Sequence, residues 1–234
     1  MKRIFTTLAQ KWPEYFLEIL VITIGILGAF ALNNWNENRK SNFENERFLI
    51  NLKNEFVLNQ EALRLKINDH RIVDSKLLQL AEIIGPKPTM DDLKNVDSLI
   101  YAVIYLPEYQ PSIVTATSSI IEDIQDDQLK RLLSNWSNKL EEYHYSTQIT
   151  YNLYFNFIYP ILSQHYQLKN IRGDYNYFST QSKFNSNHMV ILSDPVFENH
   201  LFMRSLNATI ILKRAEELAD LQEEIINYVK NQLP

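Results

Sequence analysis

Hydrophobic positions fall into two regimes along this chain. From Tyr15 to Trp35 the sequence reads YFLEILVITIGILGAFALNNW, almost continuously apolar, whereas beyond Asn36 apolar residues recur at steps of three, four and seven between polar ones. The first regime predicts a helix that lives in lipid, and the second predicts amphipathic helices packed on one another. At 1.5 Å of rise per residue, the first stretch spans about 31 Å, close to the thickness of a hydrocarbon core. Trp12 and Tyr15 mark one edge and Trp35 the other, as interface anchors at headgroup level. No later window of 18 residues is comparably apolar, so the chain divides into a short N-terminal segment (1–14), a transmembrane helix (15–35) and a soluble helical-bundle domain (36–234).

In the soluble part, Leu49, Leu52, Phe56, Leu63, Ile67, Leu77, Ala81 and Ile84 predict a first helix that continues from the membrane and stops at Gly85-Pro86-Lys87-Pro88. Thr89 and Asp92 resemble an N-cap pair for a helix from Met90 to about Leu106, ended by Pro107 and Pro111, and a short helix is expected over Ser112 to Asp123. A long helix then starts near Asp126, with Leu129, Leu132, Leu133, Trp136, Leu140, Tyr143, Tyr154 and Ile158 inward and a kink expected at Pro160. Asn170 to Ser193 lacks a period and predicts an irregular connection. Asp194-Pro195 caps a last helix that faces inward through Phe197, Leu201, Ala208, Ile211, Ala215, Leu218, Ile225 and Val229. The expected fold is all-α: a single N-terminal transmembrane helix continuing into an antiparallel helical bundle with long helices.

The N-terminus also invites a different reading, a cleaved secretory signal, because Lys2 and Arg3 form a basic region, Ile19 to Leu27 an apolar core and Ala29-Phe30-Ala31 an A-x-A pattern. Glu14 and Glu18 are out of place in a signal, which favours an uncleaved anchor. Lys2, Arg3 and Lys11 before the span balance Arg39, Lys40 and Arg47 after it. The free amino terminus and the ease with which long domains translocate break this tie. They predict a cytoplasmic N-terminus in a bacterial inner membrane and a periplasmic C-terminal domain. The lack of cysteine agrees with export without requiring it.

Within the span, Glu18, Ile22, Gly25, Ala29 and Leu32 share one helical face, with Gly28 close by. Small residues let helices approach closely in lipid, where no hydrophobic force drives them together. This face is the expected contact with a second copy or another membrane protein. Glu18 lies near the N-terminal boundary, where its carboxylate reaches headgroups or Lys11.

Charge and composition narrow the chemistry. The whole chain carries −5; its first 14 residues carry +2 and Glu18 −1, leaving −6 after the span with His neutral. Nucleic-acid binding needs basic patches, and none is present. Without cysteine there are no thiolate metal sites. Glu141 and His144 have the Glu-x-x-His spacing of di-iron bundles, yet no second such pair exists, so they read as a solvated pair. No phosphate-cradling Gly-rich loop or nucleophile elbow occurs, and the expectation is a protein without catalysis or cofactors. Eight of the 13 tyrosines fall between Tyr143 and Tyr177. They cannot all enter one core, so Tyr145, Tyr151, Tyr159, Tyr175 and Tyr177 are the candidate binding surface, where a small-molecule ligand is conceivable but unsupported.

The runs LEILVITIGILGAFALNNWNENRK, YQPSIVTATSSIIEDIQDDQLKRLLSNW and SDPVFENHLFMRSLNATI resemble an uncharacterised family of single-pass bacterial membrane proteins. The similarity covers most of the chain and is strongest at the span and its Asn33-Asn34-Trp35 exit. Relatives often carry a glycine near Glu122 or Asp123, absent here, so the local turn differs. The resemblance implies an uncleaved anchor and a helical ectodomain; it supplies no activity and no site residues.

Two functional classes follow: a membrane-tethered interaction or assembly module, and a ligand-sensing ectodomain that acts through a membrane partner. With about 14 residues before the span and no output module after it, any signal must pass through a partner. That favours the first class.

Overall fold

The computed structural model describes residues 2–89, 95–112, 118–171, 180–184 and 188–233. The expected Thr89-Asp92 cap pair, most of the segment from Ser112 to Thr117, and Tyr175 and Tyr177 lie wholly or partly outside these. Among the described residues there is no β-strand, and the fold is all-α with long helices. In chain order they are α1 (Lys2–Ile83), α2 (Val96–Ile104), α3 (Ser118–Asp123), α4 (Asp127–Leu153), α5 (Tyr159–His165), α6 (His188–Leu192) and α7 (Pro195–Gln232). A π-helical turn, Tyr154–Ile158, joins α4 to α5, and a 3₁₀ turn, Leu168–Asn170, follows α5. The chain forms two units, Met1–Asn51 and Leu52–Gln232, and α1 contributes to both.

In the first unit, α1 contains the one stretch among the described residues long and apolar enough to cross a membrane, and none of its most apolar window is buried. The polar groups here are satisfied within the helix: Thr23 Oγ1 donates to the Ile19 carbonyl at 2.7 Å, and Asn33 Nδ2 to Glu37 Oε1 at 2.9 Å. The Arg39 guanidinium lies 5.4 Å over the Trp35 ring.

In the second unit, three long helices carry the core. The pairs Lys139–Glu217 and Ser146–Arg214 run α7 antiparallel to α4, and Arg71–Glu216 and Asp74–Thr209 run it antiparallel to α1. The ring pairs Phe56–Trp136 and His70–Tyr143 show α1 and α4 pointing the same way. Every inward position expected on α7 is buried, and α4 keeps Leu129, Leu133, Trp136 and Tyr143 inside, with Tyr154 and Ile158 buried in the turn that follows it. Asp126 caps α4 by accepting from the Gln128 and Leu129 N–H groups, and Asp194 caps α7 by accepting from Val196 N–H at 2.8 Å.

Four expectations change. Ala81 is exposed and Leu80 is fully buried instead, because the stripe runs Val73, Leu77, Leu80 and leaves residue 81 about 100° off it. The second helix covers Val96–Ile104 and stops before Leu106, where the chain becomes extended from Tyr105 to Ser112. Asn170 to Ser193 is not wholly irregular: α6 lies inside it and buries Ile191 and Leu192 completely. Pro160 produces a π-turn. Proline lacks an N–H and its ring clashes with the carbonyl four residues back; widening the preceding turn, so that Tyr159 N–H bonds the Tyr154 carbonyl, relieves the conflict.

The extended segment is the unusual part of this unit. Its polar backbone packs against three helices and is captured by their side chains. Arg204 on α7, 1% exposed, donates from Nε to the Val103 carbonyl and from Nη2 to those of Ala102 and Tyr105, at 3.0 to 3.2 Å. These carbonyls close the C-terminus of α2, which otherwise leaves them unpaired. The Tyr143 hydroxyl on α4 accepts from Tyr109 N–H at 3.1 Å. Asn59 on α1 both accepts from Ser112 N–H and donates to its carbonyl, each at 3.0 Å, as a neighbouring strand would. Arg204→Met should therefore take the side-chain donor from two buried carbonyls and one partly buried one and cost about 3 kcal/mol, read as a lower urea midpoint with helicity retained in native conditions. An unchanged midpoint would mean that water replaces the guanidinium freely.

Candidate functional site

Polar residues at core positions of the long helices meet in one buried cluster. His70 Nε2 lies 3.0 Å from the Tyr143 hydroxyl, with the rings edge to face. The Tyr109 hydroxyl accepts from Gln222 Nε2 at 2.7 Å. Around this centre, Thr147 and Thr150 return their hydroxyls to backbone carbonyls of α4, and Tyr105 donates to Asp69 at 3.1 Å. Burial sets the ionisation here. It lowers the His70 pKa to about 4, helped by the nearby Arg204 charge and opposed by Asp69. It pushes the Tyr109 and Tyr143 hydroxyls up to about 12 and brings Arg204 down to about 10. At neutral pH the cluster thus holds a neutral imidazole, two neutral phenols and one charged guanidinium. Most of these groups bond one another or backbone, an arrangement suited to fixing structure.

Neither motif nor composition singles out these residues, although a signal is present in the sequence. Asn59 lies between Phe56 and Leu63, His70 between Ile67 and Val73, Arg204 between Leu201 and Ala208, and Gln222 between Leu218 and Ile225, each on an apolar stripe. A polar residue at such a position must find a partner on another element.

The expected aromatic surface is partly assembled. Tyr151 stacks on Phe155 with centroids 6.1 Å apart, and Phe155 and Tyr154 both contact Tyr159, at 6.5 and 6.1 Å. The π-turn brings these rings together. Tyr145 is 66% exposed on α4 and takes no part in the group. Tyr175 and Tyr177 lie outside the described residues. Tyr143, Tyr154 and Tyr166 are buried; Tyr166 donates to Asp97 on α2, and its hydroxyl is raised by burial and by that carboxylate.

Glu141 is exposed and His144 half-buried on α4, and no group of three or more His, Asp or Glu able to hold a metal occurs among the described residues. An open depression on α4 is lined by Asp127, Lys130, Arg131, Ser134, Asn135 and Asn138. In the first unit, Glu18, Ile22, Gly25, Gly28, Ala29 and Leu32 are all exposed, as are Trp12, Tyr15 and Trp35. A Cβ added at Gly25 or Gly28 would meet nothing within 4 Å, so both positions present open backbone.

No family model, curated protein or solved structure matches the chain.

The His70 environment has a measurable consequence. Its folded pKa of about 4 lies below the ordinary 6.5, so below pH 6.5 the unfolded chain binds a proton that the folded one refuses. The stability this neutral imidazole contributes is complete above pH 6.5 and is lost as pH falls to 4, up to about 3 kcal/mol. The urea midpoint should fall over that window, and His70→Gln should flatten this part of the profile. A variant profile identical to the parent would place the acid sensitivity elsewhere.

Proposed function

We propose that this protein is a membrane-anchored helical interaction or assembly module without catalytic activity. It is held by one crossing of a bacterial inner membrane, with a cytoplasmic N-terminus and the helical unit exported. One observation carries the reading: the apolar window of α1 is entirely unburied, and only lipid or another apolar helix can cover it at acceptable cost. The aromatic ends, Trp12, Tyr15 and Trp35, fit headgroup-level anchors. The open backbone at Gly25 and Gly28, with Ala29, supports close approach by a partner helix, either a second copy or another membrane protein. In the second unit, most buried polar side chains bond backbone or one another, which supports a scaffold more than a reaction centre. The resemblance to single-pass bacterial membrane proteins points the same way.

A second reading, a ligand-sensing ectodomain acting through a membrane partner, draws on half-buried Tyr151 with exposed Phe155 and Tyr159, whose rings offer flat apolar area with hydroxyl handles. It ranks below the first because these rings do not line the depression on α4 described above.

The anchor is tested on the cysteine-free chain by Asn38→Cys and labelling of intact cells with a membrane-impermeant maleimide; labelling is expected, and protection reverses the orientation. Recovery in mild detergent should then yield a co-purifying protein or a homo-oligomer. Gly25→Leu with Ala29→Leu should release what the span holds while leaving the helical unit folded. Unchanged recovery of every partner would remove the small-residue face from the interface.

A further inference from the structure

The two halves of α7 differ sharply in charge. From Lys213 to Gln232 it carries eight charged residues, whereas from Pro195 to Leu212 it carries only Glu198, in its first turn, and Arg204, which points inward and is consumed by backbone carbonyls. The outward face of this first half is built from Phe202, Met203, Leu206 and Ile210, which are 39% to 65% exposed. These positions succeed one another at steps of one, three and four, so they form one stripe without a polar interruption. The stripe is widened across the seam with α4. Phe157, turned outward in the π-turn, contacts His200 at 5.5 Å, and Ile149 is exposed one turn beyond Ser146, to which Arg214 donates.

The outward face of α1 is different: Leu58, Leu65 and Ile72 are exposed, but Asn54, Glu61 and Asn68 interrupt them at every second turn. The α7 patch is the coherent one. Taking a large apolar side chain as roughly 150–250 Å², the six residues Ile149, Phe157, Phe202, Met203, Leu206 and Ile210 leave about 500 Å² of side-chain surface in water. That is at the upper end for the largest apolar patch of a monomer and about two thirds of the ~800 Å² that each partner contributes to a standard interface.

We infer that this patch is an isologous interface with a second copy of the same chain, α7 against α7. A second copy is the occupant that the chemistry favours. In a two-fold contact residue i meets residue j and j meets i, so a stripe whose middle carries no formal charge and whose ends carry opposite ones, Glu198 and Lys213, meets itself without repulsion. The size matches half of a stable dimer once a polar rim is added, and Asn199, Asn207 and Thr209 flank the stripe to supply it. A bilayer surface is a poorer match, because interfacial docking draws on a strongly basic polar face, and here Lys213 at one end of the stripe is balanced by Glu198 at the other. The inference rests on the interaction-module reading and specifies one partner for it.

Leu206 is central in the stripe, so the experiment uses the full chain carrying Leu206→Cys, with Glu223→Cys on the charged half as the control. Mild oxidation in detergent should give a disulfide-linked dimer for the first and not the second. Light scattering should give twice the monomer mass for the parent chain and the monomer mass for Phe202→Glu with Ile210→Glu, at unchanged helicity. A parent that is monomeric, or a dimer that survives both charges, overturns the inference. So does a different co-purifying protein that is lost with the charged patch, which would make the partner heterologous. An environment-sensitive dye attached to the Leu206→Cys variant and blue-shifted in single-copy nanodiscs would do the same in favour of lipid. The interaction-module reading fails separately, if the chain is absent from the membrane fraction or if no partner or second copy is ever recovered.

Discussion

Backbone that leaves the helix inside a packed unit must still find its hydrogen bonds, and the segment from Ala102 to Ser112 makes that demand on everything around it. Two prolines, Pro107 and Pro111, prevent the chain from satisfying itself by continuing as helix. Partners therefore come from all three long helices: Arg204 from α7, Tyr143 from α4 and Asn59 from α1. An apolar stripe can slide along another by a turn and lose little, whereas a guanidinium aimed at three carbonyls cannot. The directional bonds thus fix the register of helices whose apolar contacts alone are permissive. Burying a cation costs several kcal/mol, and the carbonyls at the C-terminus of α2 are suited to offset it, since that end of a helix carries partial negative charge.

The parts of this arrangement that follow local rules were legible in the sequence. The stripes of α4 and α7, the caps at Asp126 and Asp194 and the end of α1 near Gly85 depend on residues close together in the chain. What escaped was non-local. Proline at 107 and 111 announces a break, but nothing nearby says that the break is threaded between helices, because its partners lie 34 to 102 residues away in sequence. Ala81 was misplaced by a single position because an alanine tolerates either side of a boundary, whereas Leu80 does not. The aromatic group was half legible: composition located it, but the π-turn decided that Tyr151 and Tyr159 both meet Phe155 and that Tyr145 stands apart.

The two units place their polar side chains differently. In the first, polar side chains turn back on their own helix, as Thr23 does to Ile19, which suits surroundings that offer no hydrogen bonds. In the second, Asn59, His70, Arg204 and Gln222 reach across to other elements, while Thr147 and Thr150 turn back on α4 as Thr23 does on α1. Lys139, at the surface between Glu142 and Glu217, is a charge held by hydrogen bonds and attraction to both carboxylates.

The π-turn at Tyr154–Ile158 also says something about how this chain tolerates change in length. A widened turn is what an α-helix becomes when it absorbs one residue without shifting what lies on either side. Rewinding these residues as ordinary α-helix at unchanged length would rotate α5 by about 100° relative to α4. Leu162, fully buried, would swing away from the core, and Pro160 would again confront the carbonyl four residues behind it. The turn is thus a phase setting, one residue deep, that decides which side of α5 belongs to the interior.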